Sequence, residues 1–281
     1  MGGESAEEQG SVSTRRPAPA VSRAGRILAA LADSGGSLSV TELATRVALP
    51  KSSTLAICTA LVESGLARRS ATGTYELGAL VLRLSHAYLS RTDVRLEFER
   101  ICSELNPLPA ETLVLSMLDG RNVLYLAERR GSRPLGLRHQ VGMRLPATCT
   151  ASGKAALSTL PDARVKEIFP DDAALSSLTG ASISTVDRLM GELAATRERG
   201  YAIDDEETVQ GMLCVGVAIP GCRASGPAAM AVSMVKSTVA TSTLQVIVAT
   251  LQRASEALSL PLASLTDLPT DGSVARDGLP A

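Results

Sequence analysis

Aromatic side chains are scarce in this chain of 281 residues, which has no tryptophan and only 2% aromatic residues. Proteins that bind single-stranded nucleic acid stack the bases on aromatic rings, so this composition argues against that class of partner. Histidine is equally scarce, with only His86 and His139. A metal site would have to combine them with scattered cysteines and carboxylates at no recognised spacing, so we expect no bound metal and no cofactor.

The five cysteines include no Cys-x-x-Cys pair, and their odd number argues against a disulfide framework. No uninterrupted apolar run is long enough to cross a bilayer, and residues 1–20 are polar, with early glutamates in place of a signal sequence. We therefore expect a cytoplasmic protein with reduced thiols and no membrane partner. Residues 1–20 and 261–281 are rich in Ser, Pro, Gly and charge without periodicity, which predicts two disordered tails.

The motifs of several enzyme classes are missing. Ser152-Gly153-Lys154 is not a phosphate-binding loop, because Thr148 replaces its first glycine and Ala155 replaces its magnesium-binding hydroxyl. Neither a Gly-x-Gly-x-x-Gly loop nor a Gly-x-Ser-x-Gly turn is present. A dyad of Cys149 and His139 stays possible on sequence separation alone, since catalytic partners need not be neighbours in sequence. We nevertheless predict that the protein is not an enzyme.

A helix-turn-helix pattern occupies residues 39–63. Ser39 and Glu42 have the spacing of a capping box, and the apolar residues that follow recur on one helical face. Pro50 suits the first position of a second helix, because its missing amide would have no partner there. Two strand-like runs at 66–69 and 74–77 flank a glycine-containing loop, and a helix from residue 21 precedes the pair. Three helices and a hairpin predict a winged helix-turn-helix.

Basic residues are concentrated around this motif. The whole chain has a net charge of −1, whereas residues 15–91 contain ten Arg or Lys and four Asp or Glu. This local surplus suits double-stranded DNA, with a protein-docking winged helix as the alternative. The first turn of a recognition helix reaches deepest into the major groove, and arginines nearby contact phosphates or stay as solvated charges. The predicted DNA contacts are Lys51, Ser52, Ser53, Thr54, Arg68, Arg69, Arg23 and Arg26.

The chain becomes α+β in character after two further helical stretches at about 79–106. The first of these carries either a dimer seam or a face that packs on its own wing. Short β-rich runs follow at 112–118, 122–128, 135–138, 213–219 and 228–235, and Asp119-Gly120-Arg121 between the first two predicts a hairpin. Helical patterns interleave them at about 150–160, 183–199 and 241–258. These residues predict an α+β domain with an antiparallel sheet.

Three stretches together resemble the IclR family of bacterial transcription regulators. They are residues 49–54 (LPKSST) with 72–78 (TGTYELG), residues 145–157 (LPATCTASGKAAL), and residues 199–207 (RGYAIDDEE) with Gly211, Cys214 and Val215. The resemblance implies a winged helix-turn-helix at 21–78, linker helices at 79–106 and a GAF-like effector-binding domain at 107–260. It also implies a homodimer or a dimer of dimers on a double-stranded DNA operator, controlled by a small-molecule effector.

Residues 150–154 predict one wall of an effector site. These small residues open a helix, so free backbone amides and the positive end of the helix dipole can face a carboxylate; a helix that is merely well capped is the alternative. The resemblance adds four pocket positions later in the chain. The predicted effector-binding residues are Ala151, Ser152, Gly153, Asp204, Cys214, Ala231, Ser233 and Leu145.

Several of these residues also have an ordinary structural interpretation. Asp204 begins an acidic run, which is typical of a solvated turn, and Cys214 is typical of a small core residue. Ala231 and Ser233 together offer one hydroxyl fewer than the two serines expected of relatives. With Leu145, Met212 and Leu213 as apolar neighbours, this favours a ligand less polar than a two-carbon keto acid.

The recognition helix departs from the family pattern at Ala56, where relatives commonly carry an arginine. This removes one cation from the helix expected to touch DNA. We therefore expect the hydroxyl-rich first turn to set selectivity, and the arginines of the wing and first helix to supply much of the affinity.

Overall fold

The computed structural model describes residues 18–90, 94–104, 111–132, 139–221 and 226–263. The chain divides into two compact units, with the boundary between Tyr88 and Leu89. Most of both predicted tails and the predicted strand at 135–138 lie outside the described residues. In the described part, no helix is sufficiently long and apolar to span a membrane.

The amino-terminal unit contains three helices, a two-stranded hairpin and the start of a fourth helix. These elements are α1 (Pro19–Asp33), α2 (Val40–Arg46), α3 (Lys51–Glu63), β1 (Ala67–Arg69), β2 (Tyr75–Leu77) and α4 (Ala79–Ser90). The strands β1 and β2 pair antiparallel. The helix α1 begins inside the predicted tail, and Pro50 is the N-cap of α3, not its first residue as predicted. The winged helix-turn-helix is confirmed.

Local hydrogen bonds explain why α2 begins where it does. The amide of Ser39 donates to Glu42 Oε2 at 2.8 Å, and the amide of Glu42 donates to Ser39 Oγ at 3.3 Å. These reciprocal contacts form the predicted capping box and satisfy two otherwise free amides. The turn into α3 places Ala48 at φ 48°, and the inner faces of α1 and α2 bury Ile27 and Leu43 completely.

The helix α4 leaves the wing and carries apolar side chains outward. The amide of Leu80 donates to the carbonyl of Gly65 at 3.1 Å, so the helix starts against the base of the wing. Leu82 and Leu84 are 75% and 54% exposed in the single chain. On the apolar face predicted from the sequence, Leu80 and Val81 are half-buried and Leu84 is exposed, and the side chains of Ala87 and Tyr88 lie outside the described set.

The carboxy-terminal unit is built on a six-stranded antiparallel sheet in the order β5-β4-β3-β8-β7-β6. Its strands are β3 (Thr112–Asp119), β4 (Asn122–Arg129), β5 (Arg144–Pro146), β6 (Ala202–Asp205), β7 (Met212–Ala218) and β8 (Ala228–Val235). Its helices are α5 (Val94–Glu104), α6 (Ala151–Ser158), α7 (Asp162–Ile168), α8 (Val186–Arg199) and α9 (Thr241–Ala263). The α+β class is confirmed, whereas β5, β6 and α7 were not predicted.

The two faces of this sheet bury different sets of side chains, as the alternation of a strand requires. Leu113 and Leu115 of β3 join a cluster that includes Phe98 of α5 and Leu251 of α9. Val114, between them in sequence, joins a second cluster with Leu189 of α8 on the opposite face. The helix α6 packs on this second face, over β7 and β8.

Candidate functional site

The outward face of α3 begins with two exposed residues, Lys51 and Ser52. Ser53 is half-buried. Thr54 is completely buried, and its hydroxyl donates to the carbonyl of Pro50 at 3.1 Å. The predicted contact of Thr54 with DNA is therefore wrong: this side chain faces the domain core and holds the first turn of the helix.

The arginines of α1 differ in their surroundings. Arg23 and Arg26 are both exposed, and the Arg26 guanidinium also donates to the carbonyl of Val47 at the C-cap of α2. This contact satisfies a carbonyl that the end of a helix leaves free, and it ties α1 to α2. Arg26 therefore has a structural role beside its predicted phosphate contact.

The wing arginines each have an intramolecular partner. Arg68 lies 3.0 Å from Glu76 across the hairpin, with 69% of its side chain exposed. The Arg69 guanidinium lies 5.7 Å from the ring centre of Tyr75. An exposed ion pair of this kind contributes little energy, so Arg68 can exchange Glu76 for another anion at small cost.

A small cavity lies between the start of α6 and the second face of the sheet. Six of the eight predicted effector residues line it: Ala151, Ser152, Asp204, Cys214, Ala231 and Ser233. Six further residues complete the lining, namely Val114, Tyr125, His139, Thr150, Thr208 and Met212. The sheet explains this convergence, because Asp204 pairs with Cys214, Cys214 with Ser233, and Val114 with Ala231.

The other two predicted residues, Leu145 and Gly153, are not among those that line the cavity. Leu145 packs in the cluster beneath α8, and Leu213 packs on the opposite face of the sheet. The amide of Gly153 donates to Thr150 Oγ1 at 3.1 Å, so it is already used in capping α6. A β-carbon on Gly153 would lie 2.2 Å from the carbonyl oxygen of Ala147, so this glycine serves close packing.

The cavity is narrow, with about 10 Å³ of space. A space of this size holds about one water molecule. A larger molecule could enter only if the lining moved.

Asp204 anchors the turn that follows β6, and only 1% of it is exposed. Its Oδ1 accepts from the amides of Glu207 and Thr208 at 2.8 and 3.1 Å, and Thr208 Oγ1 lies 2.7 Å from Oδ2. Burial raises the pKa of Asp204, while the hydrogen bonds from Thr208 and Glu207 oppose the rise. Asp204 is therefore a buried carboxyl of the cavity wall, not a solvated turn residue.

The contacts of the Thr208 hydroxyl are compatible with either protonation state of Asp204. It lies 3.0 Å from the carbonyl oxygen of Cys149 as well as 2.7 Å from Asp204 Oδ2. A hydroxyl has one hydrogen and can donate to only one of these acceptors at a time. A protonated Asp204 would donate to Thr208, leaving that hydroxyl free to donate to Cys149.

His139 brings a second buried ionisable group to the cavity. It is 3% exposed, its ring meets that of Tyr125 edge to face at 5.2 Å, and its Nε2 lies 3.5 Å from Ser233 Oγ. Burial lowers the pKa of His139 to about 4, so the ring is neutral at pH 7. Within the described part of the chain, its buried Nδ1 has no hydrogen-bond partner. The sequence singled out His139 only for a possible metal site or a dyad with Cys149, and no pattern placed it in the effector site.

One turn along α6, Lys154 is almost completely buried beside the cavity wall. Its Nζ donates to Glu207 Oε1 and lies 4.0 Å from Glu192 Oε1. Burial raises the pKa of Glu207, and the neighbouring Lys154 opposes that rise. The turn after β6 thus connects the cavity to a buried ion pair, because Asp204 lines the cavity and Glu207 pairs with Lys154.

The dyad of Cys149 and His139, which sequence separation alone left open, finds no support in these contacts. The Cys149 thiol donates to the carbonyl of Ser176 at 3.2 Å, and burial raises its pKa. A thiol in that state is a poor nucleophile. Among the described residues, no three His, Cys, Asp or Glu side chains are grouped to hold a metal ion, while the side chains of His86 and Cys222 lie outside that set.

Comparison with known proteins identifies both units. Residues 20–71 match the model for the IclR helix-turn-helix domain, and residues 86–260 match the model for the bacterial transcriptional regulator IclR C-terminal domain. The chain is 30% identical to the HTH-type transcriptional regulator XynR of Escherichia coli strain K12, over 86% of this chain and 96% of that protein.

Solved structures agree with this assignment. The Agobacterium tumefaciens repressor BlcR is 35% identical, with a TM-score of 0.56 over 87% of this chain and 97% of its own. An IclR homolog from Microbacterium hydrocarbonoxydans, solved with 4-hydroxybenzoate, is 20% identical, with a TM-score of 0.67 over 87% of this chain and 99% of its own. The second likeness establishes a shared fold.

Proposed function

The chain belongs to the IclR family of bacterial transcriptional regulators, and from that premise we propose that it binds operators in double-stranded DNA and that a small carboxylate-bearing ligand in the α6 cavity alters this binding. The carrying observation is a cavity lined by buried polar atoms, one of them without a partner in the described structure. Buried polar groups are normally hydrogen-bonded, so such a lining favours a polar ligand. The known relatives regulate transcription, which favours a sensor over an enzyme.

The DNA contacts follow from the exposed start of α3. Lys51 and Ser52 point away from the domain core, with Ser53 beside them, and these three are our candidate contacts in the major groove. Arg23, Arg26, Arg68 and Arg69 are the candidate phosphate contacts. A homodimer would present two such helices to successive half-sites, and a dimer of dimers would present four. Such a protein acts where the DNA is, so we place it in the bacterial cytoplasm.

An affinity measurement on DNA tests these assignments. Lys51→Ala should weaken binding to all duplexes and reduce the slope of log K against log salt by about 0.9, the value for one phosphate contact. Ser52→Ala combined with Ser53→Ala should instead reduce the preference for the operator over a scrambled duplex. The exposed Lys166→Ala in the carboxy-terminal unit is the control for loss of one positive charge. Unchanged selectivity in the double serine variant would contradict the assignment.

The ligand's carboxylate would meet amides and hydroxyls, since the described lining contains no lysine or arginine. Ala151 and Ser152 place the positive end of α6 at the cavity, and Ser233 adds a hydroxyl. The Asp204 carboxyl repels an anion unless it is protonated. The apolar contacts come from Val114 and Met212, which suits an acid larger than glyoxylate or pyruvate.

Calorimetry with a panel of acids tests this assignment, with 4-hydroxybenzoate against glyoxylate and pyruvate. Asp204→Asn preserves the turn and removes the charge, so it should bind the preferred acid at least as tightly as the wild type. Asp204→Ala removes three hydrogen bonds of the turn and should weaken binding at least tenfold. Tighter binding of glyoxylate or pyruvate than of 4-hydroxybenzoate would contradict the preference for a larger acid. Wild-type ligand affinity in Asp204→Ala would show that Asp204 does not contribute to ligand binding.

Ligand binding can then act on DNA affinity through a shift of conformations. The cavity must widen before it admits an aromatic acid, so the ligand stabilises states with a displaced lining. A ligand shifts an equilibrium only by its difference in affinity for the two states. The operator affinity should therefore change at saturating ligand, and it should not change in a variant that fails to bind that ligand.

A further inference from the structure

The outward face of α3 becomes apolar immediately after its first turn. Leu55 is 45% exposed and Ala56 is also exposed. Thr59 is exposed too, and its hydroxyl donates its one hydrogen to the carbonyl of Leu55 at 3.0 Å, so the helix already uses that donor. These three residues form an apolar surface, here called the Leu55 patch.

The Leu55 patch continues the polar start of the helix on the same side. Leu55 is four residues after Lys51 and three after Ser52, the two spacings that bring side chains together on one helical face. At about 1.5 Å per residue, Leu55 lies roughly 6 Å further along the helix than Lys51. A helix that enters the major groove with Lys51 and Ser52 therefore also brings Leu55 to the base edges.

The chemistry of the groove decides which base such a surface can select. The major-groove edges of adenine, guanine and cytosine offer hydrogen-bond donors and acceptors, whereas thymine adds an apolar 5-methyl group. Leucine and alanine side chains have no polar atom, so they would desolvate a donor or acceptor without replacing its hydrogen bond. A methyl group is the partner that they can bury favourably.

We propose that Leu55, with Ala56 beside it, selects thymine in the operator by packing against its 5-methyl group. The proposal rests on the proposed function and adds a base identity to it. At position 56, where relatives commonly carry an arginine, it replaces a polar contact with an apolar one. Lys51 and Ser52 retain the polar contacts at the start of the helix.

Methyl removal from the DNA tests the proposal without altering base pairing. A duplex is first selected from a random double-stranded library with the full-length protein, and each thymine is then replaced singly by deoxyuridine. One buried methyl group contributes about 0.8 kcal/mol, so affinity should fall about three- to fivefold at one or two thymines per half-site. The remaining positions should change less than twofold.

Protein variants connect the effect to Leu55. Leu55→Ala should bind the thymine and deoxyuridine duplexes equally at the sensitive positions, because the side chain that touches the methyl is gone. Leu178→Ala is the matched control, since Leu178 is 46% exposed and lies in the carboxy-terminal unit. This control should retain the full difference between the two duplexes.

Three results would overturn the proposal. Deoxyuridine could leave affinity unchanged at every position, or Leu55→Ala could retain the same sensitivity as the wild type. In both cases the protein still binds its selected duplex, and the proposed function stands without this contact. A library from which no sequence is enriched would instead contradict operator binding itself and the thymine contact with it.

Discussion

In His139→Gln, the unfolding free energy of the carboxy-terminal unit should fall less steeply with decreasing pH than in the wild type. Burial lowers the pKa of His139 from an ordinary 6.5 to about 4. At 1.36 kcal/mol per pH unit, this difference corresponds to about 3 kcal/mol of unfolding free energy. The unfolded chain takes up the proton first as pH falls, so this contribution is complete above pH 6.5 and is lost between 6.5 and 4. About 2.5 kcal/mol of it should be gone at pH 4.5.

Two buried carboxyls act in the opposite direction. Burial raises the pKa of Asp204 and of Glu207, so each stabilises the folded state as pH falls through its raised value. These contributions are common to wild type and to His139→Gln, and the difference between the two proteins isolates the histidine. The assay is urea denaturation at several pH values from 7.5 to 4.5. Parallel pH profiles for the two proteins would refute the burial of an uncharged ring at this position.

Two further changes test the packing around α6. In Gly216→Ala the new β-carbon would lie 2.5 Å from the backbone of α6, which should lower the free energy of unfolding by about 1–3 kcal/mol. In Gly191→Ala on α8 the new β-carbon meets nothing within 4 Å, so this change should raise the free energy of unfolding by up to about 1 kcal/mol. Equal melting temperatures for Gly216→Ala and Gly191→Ala would contradict the close approach of Gly216 to α6. Lys154→Met leaves Glu207 buried without its cation and should cost about 3–5 kcal/mol, whereas Arg164→Ala breaks only an exposed ion pair. Similar urea midpoints for these two variants would count against the buried pair.

Elements held by near neighbours in sequence could be predicted from the sequence. The start of α2 follows from Ser39 and Glu42, three residues apart, and the hairpin of β3 and β4 follows from Asp119, Gly120 and Arg121 between two β-rich runs. In both cases the interactions that set the structure lie within a few residues. The sequence pattern therefore contained the physical cause of each element.

The strand β6 could not be predicted because its cause is distant in sequence. It has four residues, lies at the edge of the sheet, and pairs only with β7 among the described strands. Its acidic residues are typical of a solvated turn when they are considered alone. The register that places Asp204 opposite Cys214 turns the Asp204 side chain into the cavity. His139 is similar, since a loop residue joins the cavity only through the fold around it.

The burial of Thr54 follows from the spacing of the apolar residues in α3. Thr54, Cys58 and Leu61 follow one another at spacings of four and three residues, and all three are buried. That spacing marks the inner face of a helix. Thr54 was predicted to contact DNA because it carries a hydroxyl next to Ser52 and Ser53. The outer face of the helix is instead formed by Lys51, Ser52 and Leu55.

The most direct test of the account measures how the full-length protein prefers its selected duplex over a scrambled duplex of the same length, across a series of salt concentrations. We predict that fluorescence anisotropy will show tighter binding to the selected duplex throughout. Both affinities should fall as salt rises, since each phosphate contact releases counterions. Equal affinity for the two duplexes, or an affinity that does not depend on salt, would contradict an operator-binding regulator that acts through α3.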